Sequence, residues 1–185
     1  AYFALNAEMN KKGYESMDNL LKDAFRPLTV EVCRALLETD ITVLDTRSAD
    51  HFADGSIPGS IFIGLEGRFA EWAATLLPFH RPLLLVTDPG REEEAVTRLA
   101  RVGFTRFAGF LQGGFESWKA AGEATDMLIN VEADELAMDL PFDPNLLPLD
   151  VRRITEYAKN QKKNALNLPL ADFTDPALIA GLEAE

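Results

Sequence analysis

The stretch best placed to do chemistry is a short polar loop between a buried strand and a helix. The apolar run Leu83–Val86 is too short for a helix and ends at the turn signal Asp88-Pro89-Gly90, after which a helical period starts near Ala95. In open α/β sheets, ligands gather at the carboxyl ends of such strands, and the first backbone N–H groups of the next helix favour anions. We therefore predict that any functional site lies in this loop.

The loop offers a place for catalysis without an evident catalyst, since it holds one aspartate and three glutamates but no Cys, Ser or His. We interpret these carboxylates as charges that stabilise the start of the following helix. General acid–base catalysis and partner recognition are the alternatives, although no histidine or second polar cluster accompanies the carboxylates. We predict no catalytic residue among the loop positions, which are Thr87, Asp88, Pro89, Gly90, Arg91, Glu92 and Glu93.

A second group of polar residues ends the strand predicted over residues 41–47. Asp45 and Arg47 could bind a substrate anion, but we interpret them as a structural pair that ties the strand end to neighbouring loops by buried hydrogen bonds. His51 and His80 lie far apart in the sequence without metal-ligand spacing, so we expect ordinary, solvated or partly packed histidines. The sequence predicts no bound metal and no cofactor.

The composition and net charge of the chain exclude some classes of function. The chain has 185 residues, 47% of them hydrophobic, and a formal net charge of -12, which repels nucleic acids and anionic lipid surfaces. Its single cysteine, Cys33, excludes an internal disulfide and is interpreted as a packed core thiol on an amphipathic helix. No apolar run is long enough to span a membrane, so we expect a soluble, cytoplasmic protein. Because Ala1 is not a methionine and no signal peptide follows it, we interpret the sequence as part of a longer protein.

Strand and helix patterns alternate from residue 41 to residue 122, which predicts a parallel sheet covered by helices on both faces. Trp72 and Trp118 occupy helical positions that we expect to face the core. A short amphipathic helix around residues 20–25 should end before Pro27. The other predicted elements are helices over 31–37, 65–77 and 115–121, a helical turn over 48–52, a helix whose first turn is 92–94, and strands over 41–47, 60–63, 83–86 and 107–111.

The last part of the chain repeats an earlier part. A spacing of 105 positions relates Asp150 to Asp45, and residues 149–153 then match residues 44–48 without a gap. Self-similarity over so long a period indicates a duplicated unit. We expect this second copy to be incomplete, because residue 185 corresponds to residue 80, which precedes the polar loop.

Several motifs of the first copy occur in a defined order: Leu44-Asp45-Thr46-Arg47, Phe52, Gly55-Ser56-Ile57-Pro58-Gly59-Ser60, Leu83–Val86 with its loop, Gly103-Phe104 and Gly113-Gly114-Phe115-Glu116-Ser117-Trp118. In order and spacing this set resembles the rhodanese homology domain over residues 28–122. The resemblance implies a central parallel sheet flanked by helices. It also implies sulfurtransferase activity through a cysteine persulfide in the loop after the central strand.

Two departures from the family pattern bear on activity. The family's nucleophilic cysteine would stand at about Thr87 or Asp88, so the loop is interpreted as a degenerate active site that is one or two residues short. The turn that usually reads Gly-His-Ile-Pro-Gly-Ala has a serine, Ser56, in place of the histidine.

The resemblance also suggests a domain organisation. Residues 1–27 are similar to the tail of a metallo-β-lactamase-like domain, as in proteins that carry rhodanese domains behind it, although the zinc-binding His-x-His-x-Asp-His run is absent. Residues 28–122 form the complete rhodanese-like domain, and residues 123–149 a linker and the first helix of the second copy. Residues 150–185 then form an incomplete second rhodanese-like domain.

Three functions follow from these expectations. The first is a catalytically silent rhodanese-like module, a structural, regulatory or partner-binding part of a larger sulfur-handling protein. The second is an active thiosulfate or persulfide sulfurtransferase, which would have to use Cys33 or a cysteine beyond Glu185. The third is an appendage of a metallo-β-lactamase-fold hydrolase or persulfide dioxygenase. We expect a protein partner, further domains of the same polypeptide or a homo-oligomer, and neither nucleic acid nor membrane.

Overall fold

A computed structural model of the chain describes residues 22, 24–143, 146–160 and 165–173. These residues form two compact units that divide between Ile129 and Asn130. The segment resembling a metallo-β-lactamase tail, residues 1–27, and the helix predicted around residues 20–25 lie largely outside the described residues.

Strands and helices alternate along the first unit, because short apolar runs alternate with amphipathic segments in the sequence. In chain order its elements are β1 (Pro27–Leu28), α1 (Val30–Leu37), β2 (Thr42–Asp45), α2 (Ala49–Asp54), β3 (Ile61–Phe62), α3 (Phe69–Leu76), β4 (Leu83–Val86), α4 (Glu92–Arg101), β5 (Phe107–Leu111) and α5 (Gly114–Ala120).

The five strands form one sheet in the order β1-β5-β4-β2-β3, and every pairing is parallel. The central strands β2 and β4 pair with Leu44 opposite Leu85, and all four residues of each strand are buried. This burial explains why Leu83–Val86 reads as a continuous apolar run rather than an alternating one. The predicted α/β fold, a parallel sheet with helices on both faces, is confirmed.

Two separate cores lie on the two faces of the sheet. Leu83 and Leu85 of β4 belong to the core that includes residues of α3 and α4, whereas Leu84 and Val86 belong to the core that includes residues of α1 and α5. Successive side chains of a strand point to opposite faces, so four apolar residues in a row supply both cores.

Two expectations about the first unit are corrected. Strand β1 was not predicted, because two residues that include a proline give no strand pattern. Pro27 is accommodated because β1 is an edge strand that, within the described residues, pairs with β5 alone. The helix predicted over 65–77 begins only at Phe69, and Trp72 is 36% exposed rather than a core residue. Its inward stripe runs through Phe69 and Ala73, and Trp72 lies at the edge of that stripe, whereas Trp118 is buried.

The second unit contains shorter elements. In chain order they are α6 (Ala133–Asp139), β6 (Leu149–Asp150), α7 (Ile154–Tyr157), β7 (Leu166–Asn167) and a single 3₁₀ turn (Leu170–Asp172). Strands β6 and β7 pair in parallel, with Leu149 opposite Leu166.

The hydrogen bonding between β6 and β7 repeats that between β2 and β3 at the spacing of 105 positions. In the first unit, Ile63 N donates to Asp45 O and Leu65 N donates to Thr46 O, each at 3.0 Å. The corresponding bonds of the second unit run from Leu168 N to Asp150 O and from Leu170 N to Val151 O, also at 3.0 Å. The two strand pairs therefore share one register.

The two strand pairs differ in what covers them. Leu44 of β2 is fully buried, whereas Leu149, the corresponding residue of β6, is 37% exposed. In the first unit β4 pairs with the other edge of β2, and no strand pairs with that edge of β6 in the described residues. An open strand edge with exposed apolar side chains is a surface that readily pairs with further chain.

No helix in the described part of the chain is both long and apolar enough to cross a lipid bilayer.

Candidate functional site

A pocket of about 250 Å³ opens at the carboxyl end of β4, where the sequence places the loop. Helix α2, the residues after β4 and the start of α5 contribute to its wall. Its titratable and hydroxyl side chains, apart from Arg47, are those of His51, Asp54, Thr87, Asp88, Glu116 and Lys119. The pocket therefore lies where parallel α/β sheets usually bind ligands.

Thr87 forms the floor of the loop. It follows β4 directly and is only 3% exposed, while Thr46 N donates to Val86 O at 2.8 Å and fixes the end of β4 against β2. The start of α5 packs closely on this position, because a Cβ added to Gly114 would lie 3.1 Å from Thr87 O. Gly114 also has a φ of +62°, which favours glycine.

The structure brings His51 to the loop, a contact that the sequence did not predict. His51 Nδ1 lies 3.5 Å from Asp88 Oδ1, and both side chains reach solvent. The two residues are far apart in the sequence, but one is in the helix after β2 and the other in the loop after β4. Because β2 and β4 are neighbours, their order in the sheet is the signal that would have indicated the contact. The pair becomes an ion pair when the imidazole is protonated.

The predicted loop residues divide between two places. Thr87, Asp88 and Pro89 line the pocket, whereas Gly90 and Glu93 line a different surface depression beside α4. Glu92 begins α4, as the expected first turn requires.

Arg91 lies in an ion-pair cluster rather than at the pocket. Its guanidinium contacts Glu66 and Glu94, each at 2.6 Å, and the hydrogen bond from Arg91 lowers the pKa of Glu94. The acidic side chains that face the pocket are therefore Asp54, Asp88 and Glu116, and not the run of glutamates that the sequence brings to attention.

Asp45 and Arg47 form a closed, buried pair below the pocket. Arg47 Nη2 lies 2.7 Å from Asp45 Oδ2 and also donates to Gly55 O at 2.7 Å, while Arg47 N donates to Asp45 Oδ1 at 3.0 Å. The guanidinium carbon lies 4.3 Å from the centre of the Phe115 ring. The charge of Arg47 is thus neutralised by its own strand end, and the pair joins β2, the turn at Gly55 and α5.

Cys33 is a core residue of α1, in agreement with the sequence, and it does not line the pocket. Its thiol lies 4.0 Å from Leu28 O. Burial raises the pKa of the Cys33 thiol to about 11. A thiol that stays protonated at neutral pH is a poor nucleophile.

We expect native Cys33 to resist alkylation at pH 8. The unfolded chain should ionise this thiol near its ordinary pKa of 9.0, while the folded chain holds its proton to about pH 11. The contribution of Cys33 to stability is therefore complete below pH 9.0 and is lost as the pH rises through 11. Iodoacetamide rates measured against pH, in buffer and in urea, check this. Equal rates in the two solvents at pH 8 would contradict it.

No group of three or more His, Cys, Asp or Glu side chains is placed to hold a metal ion in the described parts of the chain. The pocket combines carboxylates, an imidazole, an ammonium and a hydroxyl, and the chain's one thiol is elsewhere.

Comparisons with known proteins find similar sequences and structures. The family model described as Rhodanese-like domain matches residues 29–121. Among solved structures, the Alr3790 protein from Anabaena sp. is 27% identical, with 56% of this chain and 94% of that chain covered at a TM-score of 0.50. The solution structure of the Rhodanese-like domain of the same protein is 25% identical and covers 65% of this chain and 90% of that chain, also at 0.50.

More distant similarity supports the fold alone. The BH2092 protein from Bacillus halodurans is 16% identical, and the match covers 67% of this chain and 97% of that chain at a TM-score of 0.50. The comparison with curated proteins finds no match.

Proposed function

The chain belongs to the rhodanese-like domain family, and on that premise we propose that it is a catalytically silent module, a structural or partner-binding part of a larger cytoplasmic sulfur-handling protein. One observation carries the proposal. The single thiol of the chain, Cys33, is buried and does not line the pocket, whereas the family resemblance implies a cysteine at about the position of Thr87 or Asp88.

The chemistry of sulfur transfer explains why a pocket without a thiol supports a silent function. A sulfur atom moves by way of a persulfide, which requires a thiolate as acceptor. Neither the carboxylate of Asp88 nor the hydroxyl of Thr87 can form a persulfide. The pocket is therefore proposed to have kept its shape while losing the acceptor.

We expect the purified chain to have no thiosulfate:cyanide sulfurtransferase activity. The assay is cyanide-dependent formation of thiocyanate, and the matched control is Cys33→Ser, which removes the only thiol. Turnover by the wild-type chain that disappears in Cys33→Ser would refute the proposal.

Adding a cysteine should not by itself restore turnover. In Asp88→Cys, the new thiol would lie among the carboxylates Asp54 and Glu116, which disfavour a thiolate and repel an anionic sulfur donor. The combination with Asp54→Asn and Glu116→Gln should therefore give faster alkylation at neutral pH than Asp88→Cys alone. Thiocyanate formation by the single variant would show that the site lacks only its nucleophile.

We further propose that the second unit belongs to a second rhodanese-like copy. Its support is the repeated register of β6 and β7, together with the strand-end pair of Asp150 and Arg152. Arg152 Nη2 lies 2.5 Å from Asp150 Oδ2 and donates to Asn160 O at 2.8 Å, the same arrangement that Arg47 makes with Asp45 and Gly55. The exposed edge of β6 then corresponds to the edge of β2 that β4 covers.

The second unit should associate through this edge. In the first unit Thr46 N donates to Val86 O, but its counterpart Val151 N has no such strand partner in the part of the chain that is described. We expect the Val151 amide to exchange orders of magnitude faster than the Thr46 amide in dilute solution. Its exchange should slow as larger species appear in sedimentation at higher protein concentration. Slow exchange at Val151 in a strictly monomeric sample would contradict the prediction.

A further inference from the structure

The charge of the pocket is opposite to the one expected for a site that takes an anionic sulfur donor. Arg47 is neutralised by Asp45, so it adds no free positive charge. Of the remaining charged groups, the carboxylates of Asp54, Asp88 and Glu116 face one ammonium, that of Lys119. With a neutral imidazole at His51, the pocket carries a net negative charge.

These carboxylates are available to a ligand. Asp54 and Glu116 form no ion pair within the described residues, and neither does Lys119. Among the described residues, the one charged group that the Asp88 carboxylate contacts is His51, at 3.5 Å. On the outer side of the loop, by contrast, Glu94 is already paired with Arg91 and Arg98.

A separate observation comes from the floor of the pocket. Thr87 is only 3% exposed, yet its hydroxyl makes no hydrogen bond to any described residue. The one fully enclosed side-chain oxygen without a partner in the described part is Ser60 Oγ, so the Thr87 hydroxyl is open to the pocket that it lines. A ligand that enters the pocket can therefore take the place of water as the hydrogen-bond partner of this hydroxyl.

We propose that this pocket binds an organic cation, an ammonium or guanidinium group, through the carboxylates of Asp88, Asp54 and Glu116 and the hydroxyl of Thr87. All four groups accept hydrogen bonds, and such cations are donors without acceptors. A volume of about 250 Å³ suits an alkyl chain with its charged head rather than a single ion. The net charge of -12 draws cations toward the chain.

This inference rests on the proposed silent function and names what such a module would recognise. The cation could be a free small amine or the lysine or arginine side chain of a partner protein. The chemistry at the pocket is the same for both sources, so the experiment uses one probe of each kind.

The test is titration of the whole ¹⁵N-labelled chain with agmatine, with an N-acetylated, C-amidated arginine peptide, and with thiosulfate. Both cations should shift the amide signals of Gly113, Gly114 and His51, and thiosulfate should not. Tighter binding of agmatine would indicate a free amine as the ligand, and tighter binding of the peptide would indicate a partner's side chain. Thiosulfate binding at lower concentration than either cation, or no shift with either cation, would overturn the proposal.

Charge variants make the test specific to the pocket. Asp88→Asn and Glu116→Gln should each weaken cation binding about tenfold, as expected for a hydrogen bond to a charged group. Lys119→Gln should strengthen binding about threefold because it removes a like charge. Glu93→Gln is the matched control, since Glu93 lies outside the pocket, and its effect should stay within about twofold. Equal losses in Glu93→Gln and Glu116→Gln would overturn the proposal.

The sulfur-transfer assay separates this inference from the function on which it rests. If the chain binds neither cation and forms no thiocyanate, the proposed cation site is wrong and the proposed silent function stands. If the wild-type chain forms thiocyanate, the proposed silent function is wrong, whatever the titrations show.

Discussion

Replacing Arg47 with alanine is expected to lower the free energy of unfolding by about 3–5 kcal/mol, the loss typical of breaking a buried ion pair from one side. Asp45 is fully buried, and in the variant its carboxylate would keep no cation to neutralise it. The change also removes the hydrogen bond to Gly55 O and the contact with the Phe115 ring. Loss of charge pairing, hydrogen bonding and packing together make this the largest single effect that we expect.

The chain supplies its own control in Arg152→Ala. Arg152 makes the same set of contacts with Asp150, but its side chain is 48% exposed, compared with 6% for Arg47. Because water can replace the lost partner, we expect a much smaller loss of stability. Urea unfolding followed by far-UV circular dichroism covers both units, and fluorescence reports the first unit, which holds both tryptophans. Equal losses in the two variants would show that burial does not set the cost.

A second large loss is expected for Gly109→Ala in β5. Gly109 has a φ of +136°, and an added Cβ would lie 2.3 Å from Arg26 O and 3.0 Å from Leu28 Cγ. Strand β1 would have to move away from β5, and the backbone of the new alanine would be strained. Overpacking and strain together should lower stability by about 2–5 kcal/mol.

Gly122→Ala separates the two causes. Gly122 also has a positive φ, +74°, but an added Cβ would meet nothing within 4 Å. This variant should lose only about 1–2 kcal/mol, the cost of the left-handed backbone alone. Urea unfolding of both variants checks the difference. If Gly109→Ala lost no more than Gly122→Ala, the close approach of β1 would not be the constraint that we infer.

The parts of the fold that were predicted correctly are those with strong local signals. The four apolar residues Leu83–Val86 identify the central strand, since only a strand buried on both faces supports such a run. Strand β1 has no comparable signal, because its two residues are a strand by virtue of their pairing with β5, which is distant in the sequence. Trp72 shows the limit of helical periodicity, which indicates a face of the helix but not where the covered area ends.

A pocket lies beside the loop that the sequence indicates, but the charges around the pocket could not be predicted. The turn Asp88-Pro89-Gly90 placed the loop at the end of β4, and the structure puts the pocket there. Glu93 and Glu94 line a different surface depression, while Asp54 and Glu116 come from helices distant in the chain. The strand order and the orientation of each helix decide which carboxylates line the same pocket. Neither can be predicted from a local stretch of sequence.

The repeated strand pair has a consequence for the order in which the fold forms. In the second unit, a strand, a helical turn and a parallel partner strand are arranged in the same way, with Arg152 bonded to its own strand end, and no counterpart of β4 pairs with them in the described residues. The equivalent segment of the first unit, from Thr42 to Phe62, closes the shortest loop in the sheet, whereas β1 and β5 join opposite ends of the domain. Closing a short loop costs less chain entropy than closing a long one. We therefore expect this segment to organise early during folding, with β4 added to an edge that is already formed and β1 docked last.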